Sequence, residues 1–302
     1  MWRRLSLLSI LLVGLAFSSR AQLDSSPALG ALEELELSKL SQRDLNPLGE
    51  KALAIHPEQW KHAEGEHFIY HFVHGFVATP VSVEAEFYYR VVAKALDREQ
   101  QTSNTKSHIY IFETPEDWVQ FQQLGSLEKW TGGIHSGGSL FILRDPRFKF
   151  ADNTLGHEVA HLLVHRLYTE GVPTWIDEGF AEYISKTAHA SFRRARGYRA
   201  KPHSQSIAGD DLIPLPTLIA FLRPPNDNVE TFYEESERLV RFLIASDKPS
   251  FINLLDALGK HQPFETAFLR IYAGRFATTA SLDERFREYA SKDAPAAESD
   301  NG

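Results

Sequence analysis

His157-Glu158-Val159-Ala160-His161 places two imidazoles and a carboxylate within five residues, and Trp175-Ile176-Asp177-Glu178-Gly179-Phe180-Ala181-Glu182-Tyr183 follows soon after with further acids. Residues four apart on an α-helix lie one above the other, so His157 and His161 can both turn a nitrogen to one metal ion at about 2.0–2.1 Å. Glu158 stands beside them. It is placed to take a proton from water that such a metal acidifies, which yields a nucleophile near neutral pH.

The elements around these residues must bring them together. Leu155, Val159, Leu162, Leu163 and Leu167 form an apolar helix surface, with Asp152, Asn153 and Thr154 as candidate caps. Two histidines and a glutamate on so apolar a helix need partners, because burying them unsatisfied costs kcal/mol each, and one metal ion satisfies all three. His165 continues the spacing but lies about 12 Å along the helix from His157, out of reach of the same ion, and is read as packing or surface. Gly171 and Pro173 break the helix and redirect the chain into a second one. On it Glu178 and Glu182 are one turn apart, so one carboxylate can bind metal while the other accepts the free ring N–H of a ligand histidine. Trp175, Phe180 and Tyr183 read as core.

The rest of the chain predicts an α+β fold, with a small mixed β-sheet in an N-terminal lobe, the zinc-binding helix pair, and a helical C-terminal lobe. Strands are expected at His67–Val73, His108–Phe112 and Ser139–Leu143, and a helix at Val83–Leu96. Thr114-Pro115-Glu116-Asp117 has the form of a capped helix start. Gly132-Gly133 and Gly137-Gly138 bracket a turn. Ser139–Leu143 then reads either as a cleft-edge strand that pairs with an extended peptide or as an ordinary hairpin strand. Helical patterns resume at Val229–Ala245, Ser250–Leu258, Phe264–Tyr272 and Leu282–Tyr289, and Leu212–Arg223 carries prolines around a short apolar run.

At 302 residues, 43% hydrophobic and 12% aromatic, the chain has the composition of a globular protein. Its net charge of −8 argues against a nucleic-acid partner, which would demand clustered Lys and Arg, and Arg193-Arg194-Ala195-Arg196 reads as a solvated run. Residues 1–21 read as a signal peptide, with basic Trp2-Arg3-Arg4, apolar Leu5 to Phe17, and Ser19-Arg20-Ala21 for cleavage. The apolar run is shorter than the roughly 20 residues of a membrane span, so no stable span is expected after cleavage; an uncleaved anchor is the alternative. Export to the periplasm or beyond follows. There is no cysteine, so any metal is held by nitrogen and oxygen. Residues 22–57 read as a helical linker, 58–291 as the working domain and 292–302 as a disordered tail.

The residues from Pro173 to Tyr183, with the His157–His161 helix, resemble the gluzincin metallopeptidases, and more closely the peptidase-MA-like family of exported bacterial proteins. The likeness is strong from about Ser139 to Tyr183 and diffuse over roughly His67 to Tyr289. It implies a zincin-like fold, Zn2+ held by His157, His161 and Glu178, Glu158 as general base, and Glu182 as the outer partner of His157. Zinc aminopeptidases carry a similar segment with asparagine in place of Asp177. By the same likeness Tyr233, in Phe232-Tyr233-Glu234-Glu235-Ser236, is the candidate donor to the oxyanion, or else an amphipathic aromatic at a helix start. The aminopeptidases' Gly-x-Met-Glu-Asn motif has no counterpart here. The expectation is a zinc metallopeptidase acting on a peptide or protein, endopeptidase action preferred. The alternatives are a non-catalytic envelope scaffold that binds metal and a zinc hydrolase of a non-protein amide.

Overall fold

The computed structural model describes residues 32–100, 105–129, 131–147, 153–168, 171–197 and 212–293. The expected signal peptide, the Asp152 cap and the tail beyond residue 293 lie outside them. The described part is mixed α and β, as the patterns predict, with a five-stranded sheet ordered β1-β2-β3-β5-β4. The strands are β1 (Lys61–Glu64), β2 (Phe68–Phe72), β3 (Ser107–Phe112), β4 (Gly133–Ser136) and β5 (Ser139–Leu143). β2, β3 and β5 run parallel, while β1 and β4 close the two edges antiparallel.

Parallel neighbours need a crossover, and α2 (Gly75–Ala95) and α3 (Pro115–Gly125) supply the two. Thr114 caps α3 by accepting from the Asp117 N–H, as its sequence predicts. Both faces of the sheet are covered, so β2 and β3 are buried at every position rather than alternating. One face carries the larger core with α2 and the later helices; the other packs Tyr110, Phe112 and Phe141 against Trp118 and Phe121 of α3.

Of the two readings of Ser139–Leu143, the hairpin strand holds and the edge strand does not: it lies between β3 and β4, pairs antiparallel with β4, and leaves the edge to β4. The glycine pairs bracket that unforeseen strand rather than a turn. Gly137 and Gly138, at φ of 55° and 78°, form the two-residue hairpin loop, where left-handed backbone favours glycine. The described part of the segment before residue 58 contains a helix, as its pattern predicts, and is tied to the sheet. Leu35 bridges to His62, and α1 (Pro47–Leu53) buries Ala52 in the smaller core, which Ile55 joins just beyond it.

The helical half comprises α4 (Thr154–Tyr168), α5 (Thr174–Ala195), α6 (Leu215–Ala220), α7 (Val229–Leu258), α8 (Phe264–Ile271) and α9 (Thr279–Asp293). Asp247 in α7 is extended, with φ −166° and ψ 93°, and accepts from the Ser250 N–H ahead of Pro249's turn. The sequence accordingly reads α7 as two helices. Close approaches hold the frame: Gly156 of α4 sits against the Tyr88 ring of α2, and a Cβ on Gly179 of α5 would overlap the Ser236 carbonyl of α7. No described helix is long and apolar enough to cross a membrane.

Candidate metal centre

α4 and α5 pack side by side with their polar stripes facing each other. Their apolar residues are driven inward: Leu155, Val159, Trp175 and Phe180 are buried, while Tyr183 is partly buried against the same core. The polar residues that remain converge on a cavity of about 790 Å³ bounded by α4, α5, β4 and the start of α7. His157, Glu158, His161, Glu178, Glu182 and Tyr233, the six residues singled out in the sequence, all line it.

The Nε2 atoms of His157 and His161 are 2.9 Å apart, and Glu178 Oε2 lies 3.4 Å and 3.3 Å from them. The opposite ring nitrogens each face a carboxylate. His157 Nδ1 is 3.1 Å from Glu182 Oε1, and His161 Nδ1 is 3.0 Å from Asp177 Oδ1. A proton on each Nδ1 therefore leaves two Nε2 lone pairs and a carboxylate oxygen pointing at one spot. Three acceptors aimed at one another repel unless a metal cation, or a proton on an imidazole, stands between them. Glu178 Oε2 is moreover buried with no hydrogen bond of adequate geometry. These three side chains can hold a metal ion, and the two imidazoles plus one carboxylate are a donor set suited to it.

The electrostatics show the same convergence. Burial opposes charge on His157, but Glu178 and Glu182 outweigh it and hold its pKa up to about 9. Burial likewise opposes charge on His161, and Asp177 with Glu178 lifts it well above the ordinary value. Glu178 falls to about 2 because the two imidazoles overcome the burial that would raise it. Glu158 is different: burial dominates and raises its carboxyl, making it a better base than an exposed glutamate once ionised.

β4 closes the cavity over Glu158. The His135 backbone amide favours the charged form of the Glu158 carboxyl, against its burial. A Cβ on Gly133 would overlap Thr154 Cγ2 and come within 3.0 Å of Glu158 Cγ, so glycine lets the strand lie against α4. Tyr233, near the start of α7, has its ring 6.3 Å from that of His157. Burial, then the surrounding carboxylates, pushes its phenol far up, so it stays a donor at neutral pH.

Sequence reasoning passed over two lining residues. Asp177 bridges two histidines, since its Oδ2 accepts from His165 Nε2 at 2.8 Å. Its position immediately before Glu178 was the available signal. His135 reaches the cavity from β4, and burial lowers its pKa to about 3. Nothing in Gly133-Ile134-His135-Ser136 announces that role. His165, read as packing or surface, is 44% exposed in its side chain yet turns to Asp177 and into the cavity. Compared with known proteins, the chain matches no family model and no curated sequence.

Proposed function

We propose that the chain is an exported, zinc-dependent metallopeptidase of gluzincin type, with Glu158 as general base. The observation that carries this reading is the convergence of His157, His161 and Glu178 on one point beside the Glu158 carboxylate, within a cavity open to substrate. Zinc bound there acts as a Lewis acid, acidifying water and polarising a peptide carbonyl.

The chain's own residues supply the remainder. Glu182 and Asp177 fix the orientation of the two imidazoles and keep their Nε2 lone pairs turned inward. Glu158 accepts the proton of the attacking water and returns it to the leaving amine, with the His135 backbone amide favouring its charged form. Tyr233 donates its phenol hydrogen to the oxygen that gains charge in the transition state. The outer edge of β4 is unpaired within the described sheet, and its backbone groups suit an extended peptide laid antiparallel along the cleft. That role falls to β4 in place of β5. A binder that never turned over would have no use for a base at Glu158.

The test compares wild type with Glu158→Gln by metal analysis and peptide-library digestion. The variant is expected to keep the zinc at His157, His161 and Glu178 and to lose roughly 10²–10⁴-fold in turnover. Equal cleavage by both proteins would remove Glu158 from its role. Cleavage by neither would favour a metal-binding scaffold.

A further inference from the structure

A second group of donors lies in the same cavity, on the far side of Asp177. His165 Nε2 meets Asp177 Oδ2 at 2.8 Å, and the His135 ring approaches His165 with centroids 5.0 Å apart and planes at 80°. His157 and His161, the pair at the first centre, have nearly the same relation, 4.6 Å and 75°. Two imidazoles bound tetrahedrally to one ion at about 2.0–2.1 Å have centroids roughly 5 Å apart, so both pairs have the spacing of shared ligation. Ligand atoms of His161, His165 and Asp177 also lie within 4.8 Å of one another. His161 belongs to the first centre through Nε2, and its Nδ1 is turned to Asp177. His135 lies outside that 4.8 Å group but has its ring edge-on to that of His165, and it completes the group by turning a ring nitrogen toward Asp177.

We propose that His135, His165 and Asp177 form a second divalent-metal site, weaker than the first. Two imidazoles and one carboxylate suit zinc, cobalt, nickel or copper rather than magnesium or calcium. It is weaker for two reasons. His165 is 44% exposed, so ordering it is uncompensated by burial, and Asp177 already serves His161 through Oδ1. His135 is carried by β4, so an ion here ties the cleft strand to both α4 and α5. The ion stands beside the path an extended peptide would take. The site does not depend on the peptidase reading, since it concerns binding of the ion alone.

Zinc titration of the metal-stripped full chain by calorimetry tests it. Wild type is expected to bind two equivalents, one tight and one at least tenfold weaker. His165→Ala and His135→Ala should each lose the weaker equivalent and keep the tight one, with far-ultraviolet circular dichroism unchanged. His157→Ala should do the reverse. A single equivalent in wild type, or survival of the weaker one in either His165→Ala or His135→Ala, overturns the second site and leaves the first untouched. Failure of wild type to bind any zinc would overturn both.

Discussion

Each imidazole of the first centre is gripped from behind by a carboxylate, His157 by Glu182 and His161 by Asp177. Such outer contacts set which ring nitrogen carries the proton and how basic the other becomes. Glu182→Gln keeps the size of the side chain but removes its charge and weakens its acceptor. Zinc affinity is expected to fall roughly 10–100-fold, read by competition with a chelator, while the thermal midpoint of the stripped protein changes little. An unchanged affinity would show that His157 is oriented by other contacts. Glu182 is readable from the sequence because it sits one helical turn from Glu178. Asp177 is less readable, since its second partner, His165, belongs to another helix and only the fold brings the two together.

At the scale of elements, the centre depends on how closely α4 and α5 are held by their neighbours. Gly179, beside Glu178, faces the backbone of α7 with no room for a methyl group. In an exposed helix, glycine to alanine gains about 1 kcal/mol. Gly179→Ala is expected to do the opposite, costing about 1–3 kcal/mol by overpacking, as a shift in the urea midpoint. Stabilisation would mean that α7 yields without strain.

The two helices were legible because each has an apolar stripe of 3.6-residue period and a clear break between them at Gly171 and Pro173. β4 was not legible. It has four residues, a single large apolar side chain and a glycine, and its conformation comes from pairing with β5 and lying against α4, neither of which leaves a periodic trace. For β5 the residues left edge and hairpin strand open for the same reason, because sheet order is a tertiary property that a strand's own residues do not encode.

At the scale of the molecule, the sheet contains a line of three buried histidines remote from the helix pair. His62 Nδ1 meets His71 Nδ1 at 2.8 Å, and His71 Nε2 meets His108 Nδ1 at 2.8 Å, crossing β1, β2 and β3, with His71 stacked on Tyr110. Each contact needs one donor and one acceptor, so the line is satisfied by neutral rings. Burial lowers the pKa of all three and that of His71 farthest, although Glu36 opposes the shift at His62, and Glu64 and Asp44 oppose it at His108.

The sign follows from linkage. The unfolded chain takes up protons below about pH 6.5 while the folded rings do not, so stability is intact above that pH and drains away as pH falls below it. Each ring contributes up to about 1.4 kcal/mol per pH unit in that range. His71→Gln is expected to flatten the dependence of unfolding free energy between pH 4.5 and 6.5 by about one proton, measured by urea titration. A slope equal to that of wild type would place the titration elsewhere. Alternation along single strands hides this line, since its members meet only once the strands are in register.

The hairpin that carries His135 is tethered from an unexpected quarter. Asn46, whose Oδ1 caps α1 by accepting from the Gly49 N–H, sends its Nδ2 to the Ser136 carbonyl at 2.9 Å and the Gly137 carbonyl at 3.4 Å. One amide thus fastens the start of a helix some ninety residues upstream to the tip of the β4–β5 loop. A fragment trimmed to begin at residue 58, where the motifs alone would have put the boundary, would lack that anchor. The lip of the cavity would then be free to swing although every residue of the candidate centre remained in the chain.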